Sequence, residues 1–333
     1  MKIGILTFHN ADNYGAVLQC YALQEKLKEL HPDDEVFVID YKCHKIVNSY
    51  IPRFNFKRPW DIWRYLKTKK KCNKFQQFRK KYLNLSTDDF SFYDMIYYGS
   101  DQIWNSILTD HDLNYFGKDF SGKKIAYAAS DGNEMNYDTE VCDLLNQFSK
   151  ISCREKTLTE KLQNLDIKPP LTTVCDPVFL LSKDNWLKIA ELPKDENYVL
   201  AYKVSDNSNF DNEAEKLGQR LGKKVIQIVY VKPLRKLLYF RQNFAESISP
   251  EQFVGLFAKA DFVLTTSFHG TAFSVIFDKP FFVLAFNKRT ERIIDLLSIL
   301  GIEDRYGNEI QENKNNIIGL DDYIGYSVMC MKG

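Results

Sequence analysis

At 333 residues the chain is too long for one small core and long enough for two α/β domains. Its 44% hydrophobic and 27% charged residues are ordinary for a soluble globular protein, and a net charge of +1 offers no global field to draw nucleic acid. The seven cysteines are odd in number and none forms a Cys-x-x-Cys pair, so neither a disulfide framework nor a zinc motif is signalled.

Residues 3–8 form a short apolar run of strand formers, too brief for a signal peptide, that turns polar at His9-Asn10. No later window approaches the length of a membrane span, and a cytoplasmic protein is expected. From Ala16 the pattern becomes helical, with Val17, Leu18, Tyr21, Ala22, Leu27 and Leu30 in phase, and residues 35–41 read as strand again. Strand, loop, helix and strand in about forty residues make a βαβ unit, which predicts a parallel sheet with a right-handed crossover. The loop His9-Asn-Ala-Asp-Asn-Tyr-Gly15 is not G-x-G-x-x-G, so a dinucleotide fingerprint is not supported.

Residues 44–92 read as an inserted helical segment, basic and aromatic. Between Lys42 and Lys81 fourteen Lys and Arg stand against one acid, Asp61, among aromatics that include Trp60, Trp63, Phe75 and Phe78. Such a stretch suits an anionic phospholipid surface or a lipid-linked pyrophosphate, which would bring residues 42–81 to the inner face of the membrane. The alternative is a solvated helical hairpin with a half-buried aromatic face. No nucleic-acid motif accompanies the charge, and no nucleic-acid partner is expected.

Residues 95–98 predict a strand ending in Gly99-Ser-Asp-Gln-Ile-Trp-Asn105. Asp101 there can act as a base, orient a hydroxyl or cap the next helix. Strands follow at 124–129 and 151–153, the second delivering Arg154-Glu155, with helices at 137–148 and 156–165. A strand at 172–175 ends in Asp176-Pro177, and the first domain, residues 1–180, closes there.

The second domain, residues 181–333, repeats the alternation, with strand 198–203, helix 211–221 and strand 224–231. Ser249-Pro-Glu-Gln252 opens a helix with an N-cap serine and a proline in its first turn. Residues 262–264 and 281–284 predict two buried strands. Between them, a turn at Thr265-Thr-Ser267 leads into a helix opening at His269-Gly270 and ending before Pro280. Free N–H groups and the helix dipole make that turn attractive to anions, and a histidine there can move a proton near neutral pH. The alternative is a capping turn whose histidine only packs. A last amphipathic helix spans 289–300 up to Gly301, and the carboxyl-terminal tail is expected to pack back on the first domain. The fold class predicted is α/β, with two Rossmann-like parallel-sheet domains facing across a cleft.

These residues, taken together, resemble the polysaccharide pyruvyl transferase family. The matching pieces are Ile5-Leu-Thr-Phe-His-Asn-Ala-Asp-Asn-Tyr-Gly-Ala16, Gly99-Ser-Asp-Gln-Ile-Trp-Asn105, Ser152-Cys-Arg-Glu155 and Cys175-Asp-Pro177. Thr266-Ser-Phe-His-Gly-Thr271 and Ala285-Phe-Asn-Lys-Arg289 complete the set, in the family's order. The resemblance implies a fold like the two-domain B-type glycosyltransferases. It implies transfer of the pyruvyl group of phosphoenolpyruvate to two hydroxyls of a sugar, free or lipid-linked, giving a cyclic ketal in surface-polysaccharide biosynthesis. That scheme requires no metal, and no cofactor beyond the phosphoenolpyruvate donor.

By position the resemblance makes His269 the catalytic histidine and Arg154 a donor-site arginine. Asp101 would place an acceptor hydroxyl, and His9, Asn10 and Asn13 would line the site. Thr266, Ser267, Gly270, Lys288 and Arg289 are expected to bind substrate around the histidine. One departure stands out: many members read Arg-Leu-His where this chain has Ser267-Phe268-His269. Serine and a helix amino terminus can bind an anion without carrying a full charge. Lys203, Lys288, Arg289 and Arg292 are the candidates for a replacement cation. Two other functions fit the same residues: a glycosyltransferase using a nucleotide sugar, and a non-catalytic sugar- or lipid-binding relative.

Overall fold

The computed structural model of the chain describes residues 1–50, 59–132, 134–204, 209–229, 242–285, 291–310 and 320–331. They fall into two units. One comprises Met1–Ile51, Arg79–Leu181 and Leu320–Gly333, and the other Pro52–Phe78 and Ser182–Gly319.

The first unit is built on seven strands: β1 (Lys2–Leu6), β2 (Glu35–Ile39), β3 (Leu85–Ser86), β4 (Met95–Tyr98), β5 (Lys123–Ala129), β6 (Lys150–Cys153) and β7 (Leu171–Thr173). Their order in the sheet is β3-β2-β1-β4-β5-β6-β7, and every pairing is parallel. Helices α1 (Tyr14–Leu30), α2 (His44–Tyr50), α3 (Pro59–Tyr82), α4 (Ser106–Thr109), α5 (Thr139–Leu145) and α6 (Lys156–Gln163) fall between the strands. Residues of α3 up to Phe78 belong to the second unit.

The second unit holds β8 (Tyr198–Tyr202), β9 (Lys224–Val229), β10 (Gln242–Glu246), β11 (Phe262–Thr265), β12 (Phe281–Leu284) and β13 (Tyr306–Gly307). Their order is β10-β9-β8-β11-β12-β13, again wholly parallel. Its helices are α7 (Lys183–Ile189), α8 (Phe210–Leu221), α9 (Pro250–Lys259), α10 (Phe268–Ile276) and α11 (Glu291–Ile299). The chain closes with α12 (Leu320–Met331) in the first unit, where Ser327 Oγ accepts from Cys175 N at 2.9 Å and Tyr97 Oη donates to Met331 O at 3.2 Å.

The apolar runs explain these sheets. Every residue of β4, β8 and β12 is buried, as in parallel strands covered on both faces. In the first unit Trp104 stacks on Phe116, with ring centroids 5.5 Å apart and planes 12° apart. In the second, Phe253, Phe257, Phe273 and Trp186 pack ring against ring. The capping box at Ser249 and Gln252 forms as the sequence predicts.

Boundaries moved where side-chain pattern and backbone pairing part company. β1 ends at Leu6, two residues before the apolar run does, because Thr7 and Phe8 have already left the sheet ladder. The expected helix at 137–148 holds only over Thr139–Leu145, after the Asp138 side chain caps it by accepting from Val141 N. Leu85–Ser86, inside the stretch read as a helical insertion, forms the edge strand of the first sheet.

Candidate functional site

Both sheets gather polar side chains at the carboxyl ends of their central strands, where open α/β sheets bind ligands. In the first sheet the group starts after β1. Thr7 Oγ1 donates to Ser100 O at 2.8 Å and accepts from Gln19 Nε2 at 2.9 Å, tying the ends of β1 and β4 to α1. His9 is fully buried, its Nε2 3.0 Å from Asp40 Oδ1 and its Nδ1 3.2 Å from Thr7 O. Asn10 Nδ2 donates to the same Asp40 oxygen at 3.2 Å, and Asn13 caps α1 by accepting from Gly15 N at 2.9 Å. The three loop residues expected to line the site are thus held by the fold itself.

Asp40 is what the loop closes on. Hydrogen bonds from His9, then Lys42 and Asn10, hold its carboxyl well below the usual carboxylate range against the opposing effect of burial. A depressed carboxylate stabilises the fold above its unfolded value of about 4 and loses that contribution as the pH falls further. The urea midpoint of Asp40→Asn should therefore lie below wild type at neutral pH. The gap should narrow between about pH 5 and about pH 3. A gap that stays constant over that range would remove Asp40 from this role.

The end of β4 is built for close approach. A Cβ on Gly99 would lie 2.3 Å from Tyr127 O, so only glycine fits, and the Gly99–Ser100 peptide is cis. Asp101 follows at φ 75° and Ala128 opposite sits at φ 51°, both in the left-handed region that non-glycine residues seldom occupy. Ser130 N donates to Asp101 O at 3.1 Å across the irregular end of β5.

Arg154 stands at the centre of this unit's polar group. Its guanidinium is 2% exposed and lies 2.8 Å from Asp176, 3.4 Å from Glu155 and 3.7 Å from Asp101. Burial opposes its charge, but the three carboxylates outweigh that and drive its pKa above the ordinary arginine value. Ser130 Oγ donates to Glu155 Oε1 at 2.7 Å. Tyr50 joins from α2: its side chain hydrogen-bonds Asn13, and burial followed by the negative charge of Asp101 raises its phenol pKa. Sequence reasoning singled out Arg154 and Asp101 but missed Glu155, Asp176 and Tyr50 as site residues. The first two lay inside recognised motifs; nothing local marked Tyr50.

In the second sheet, α10 starts directly after β11. Ser267 is its N-cap, with Oγ accepting from Gly270 N at 3.3 Å and its own N–H donating to Thr265 Oγ1 at 3.0 Å. Thr271 Oγ1 donates to Ser267 O at 3.0 Å, and Thr266 Oγ1 accepts from Val204 N at 3.2 Å. A Cβ on Gly270 would sit 2.2 Å from Thr265 Oγ1, so glycine lets the first turn press onto the strand. His269 is half-buried in that turn, its ring perpendicular to Phe268 at 5.3 Å.

Among the candidates for a cation here, the Arg292 guanidinium lies over the Phe268 ring at 5.9 Å, brought by the first turn of α11. Lys203 turns instead to Asp211, at 2.8 Å. Lys288 and Arg289 lie outside the described residues. Among the described residues there is no cluster of His, Cys, Asp and Glu that could hold a metal ion.

A family model described as polysaccharide pyruvyl transferase matches residues 13–287, most of the chain, including Asp101, Arg154, Asp176 and the turn that carries His269. The chain belongs to the polysaccharide pyruvyl transferase family. No curated protein sequence matches it. Among solved structures it is similar to the UDP-GlcNAc 2-epimerase of Neisseria meningitidis bound to UDP-GlcNAc, at 12% identity with a TM-score of 0.51. That likeness covers 99% of this chain and 94% of the other. It is similar also to the S. aureus MnaA–UDP co-structure, at 12% identity and a TM-score of 0.50, over 87% of this chain and 80% of that one. These likenesses place the pyruvyl transferase chain in the two-domain, parallel-sheet architecture shared with B-type glycosyltransferases. Among the described residues no helix is long and apolar enough to cross a membrane.

Proposed function

We propose that the chain transfers the pyruvyl group of phosphoenolpyruvate to two hydroxyls of a sugar, forming a cyclic ketal on a surface-polysaccharide precursor. In this reaction one hydroxyl oxygen adds to C2 of the enol while a proton reaches C3. The first hydroxyl's proton passes to the phosphate oxygens, the second oxygen adds to C2 as the C2–O bond to phosphate breaks, and hydrogen phosphate leaves. The chemistry needs a group that both gives and takes a proton, and cationic or N–H partners for carboxylate and phosphate.

The observation that carries the proposal is the first turn of α10: His269 there, behind the Ser267 cap, with the Arg292 guanidinium over the adjacent Phe268. His269 is assigned the proton to C3 and the proton from the second hydroxyl. The N–H groups of the turn and Ser267 are assigned the donor's anionic oxygens, with Arg292 supplying the full charge that serine at 267 lacks. Thr266 and Gly270 shape this turn, and Lys288 and Arg289 remain further candidates for donor contact. In the first unit Asp101 is assigned to orient an acceptor hydroxyl. Arg154, whose charge is already shared by three carboxylates, serves in this reading to hold Asp101 in place.

The test is phosphate release from phosphoenolpyruvate in the presence of a panel of galactosides, read together with the mass of the sugar product. Release coupled to gain of one pyruvyl ketal is expected. Folded protein giving neither across a broad panel would overturn the proposal. Arg292→Ala should raise KM for phosphoenolpyruvate about 10- to 100-fold with kcat little changed, as loss of a charged contact made in the ground state does. A second reading, a nucleotide-sugar enzyme, draws on the fold neighbours bound to UDP and UDP-GlcNAc. It predicts thermal stabilisation by UDP rather than by phosphoenolpyruvate. A non-catalytic relative would bind ligand equally well with His269→Ala.

A further inference from the structure

The proposed chemistry leaves the outward face of α3 without a role. This helix seats Phe75 and Phe78, both fully buried, and holds Lys67 3.0 Å from Glu246 in the second unit. At 3.6 residues per turn, Ile62, Leu66, Lys69, Asn73 and Lys80 fall on the opposite face, with Trp63 and Lys70 on its flank. Ile62 is 45% exposed, Trp63 41% and Leu66 57%, while the lysines of that face reach into solvent.

We propose that this face of α3 is a docking surface for an anionic phospholipid bilayer. Three large apolar side chains gathered on neighbouring positions of one helix are more than the scattered exposed residues normal on a protein surface. Ile62 and Leu66 lie one turn apart with Trp63 beside them, an aromatic–aliphatic wedge of the kind that enters the headgroup boundary. Behind the wedge the same face turns cationic, within a stretch of fourteen basic residues and one acid. Interfacial helices hold by two signals together, apolar insertion and attraction to anionic headgroups, and α3 carries both along one line. The Lys67 ammonium lies 5.5 Å from the centre of the Trp63 ring, a basic group set against the edge of the apolar patch. A soluble polyanion would engage the lysines but would gain nothing from Ile62 and Leu66, which is why a bilayer is the occupant that uses the whole face. The surface is separate from the proposed pyruvyl transfer and does not depend on it.

The test is flotation of the full chain with vesicles of phosphatidylcholine alone and of phosphatidylcholine mixed with phosphatidylglycerol. Binding is expected only to the mixed vesicles, and to fall as salt is raised. The triple substitution I62S/W63S/L66S and, separately, K69E/K70E should each lower the bound fraction about tenfold. All five side chains are solvent-facing, so thermal melting should be unchanged. Phosphate release with a soluble acceptor should also be unchanged, which separates failure here from failure of the proposed chemistry. Absence of flotation with the mixed vesicles would overturn the proposal. So would flotation that survives I62S/W63S/L66S, which would mean simple polyanion binding. A change of oligomeric state caused by the triple substitution would assign the face to a second copy of the chain, and would overturn it too.

Discussion

Replacing His269 with alanine is expected to lower phosphoenolpyruvate-dependent phosphate release about 10²- to 10⁴-fold, the usual loss when a positioned proton-transfer group is removed. The loss should fall on kcat, because proton transfer stabilises the transition state and not the bound donor. The fold should survive the change. Hydrogen bonds of Ser267, Thr265 and Thr271 build the first turn of α10, and the close approach of Gly270 to Thr265 seats it. Ser267→Ala provides the contrast: it removes the N-cap, should cost about 1 kcal/mol of stability, and should weaken donor binding while retaining turnover. Steady-state kinetics with inorganic phosphate as readout, paired with thermal melts, distinguish the two. Full turnover in His269→Ala would move the proton-transfer role elsewhere.

Arg154→Met is expected to be the most destabilising single change in the first unit, by about 3–5 kcal/mol. Methionine fills much of the volume but leaves Asp101, Glu155 and Asp176 facing one another without their common cation. Because the chain has two units, unfolding should be followed with a probe confined to the first, such as Trp104 fluorescence with Trp60, Trp63 and Trp186 replaced by phenylalanine. Adding Asp176→Asn to Arg154→Met should recover part of the loss, since it removes one of the stranded charges. A stability change within experimental error in Arg154→Met would mean that the carboxylates do not depend on the guanidinium.

The fold was readable because its signals are local. A strand buried on both faces must be a continuous apolar run, and residues 95–98 and 281–284 are strands over just those positions. The helix at Ser249 announces itself by a cap, a proline and a glutamine within four residues, all of which contribute in the folded chain. Glycine at 270 and histidine at 269 mark a tight strand-to-helix turn for the same reason: the cause lies within a few residues of the effect. Two-residue strands such as β3 and β13 carry no period, and only the neighbouring strand defines them.

The site was legible as a set of positions but not as a set of partners. Arg154 could be named from its place after a strand. That it faces three carboxylates follows from the segments after β4, β6 and β7 meeting at one end of the sheet, which depends on strand order. His9 could be named from its loop, but nothing local showed that Asp40, thirty-one positions away, lies 3.0 Å from its ring. Of the four candidate cations, α11 carries Arg292 over Phe268 and Lys203 turns to Asp211, while Lys288 and Arg289 lie outside the described residues.

By itself, then, the amino-acid sequence determined the two parallel-sheet units, the polar strand ends and the turn carrying His269, because apolar period, caps and glycine act over a few residues. Tertiary structure alone decided which charges meet around Arg154, that Arg292 lies over Phe268, and that Ile62, Trp63 and Leu66 face outward. Those are relations between elements distant in the chain, set by strand order and by which face of a helix the core claims.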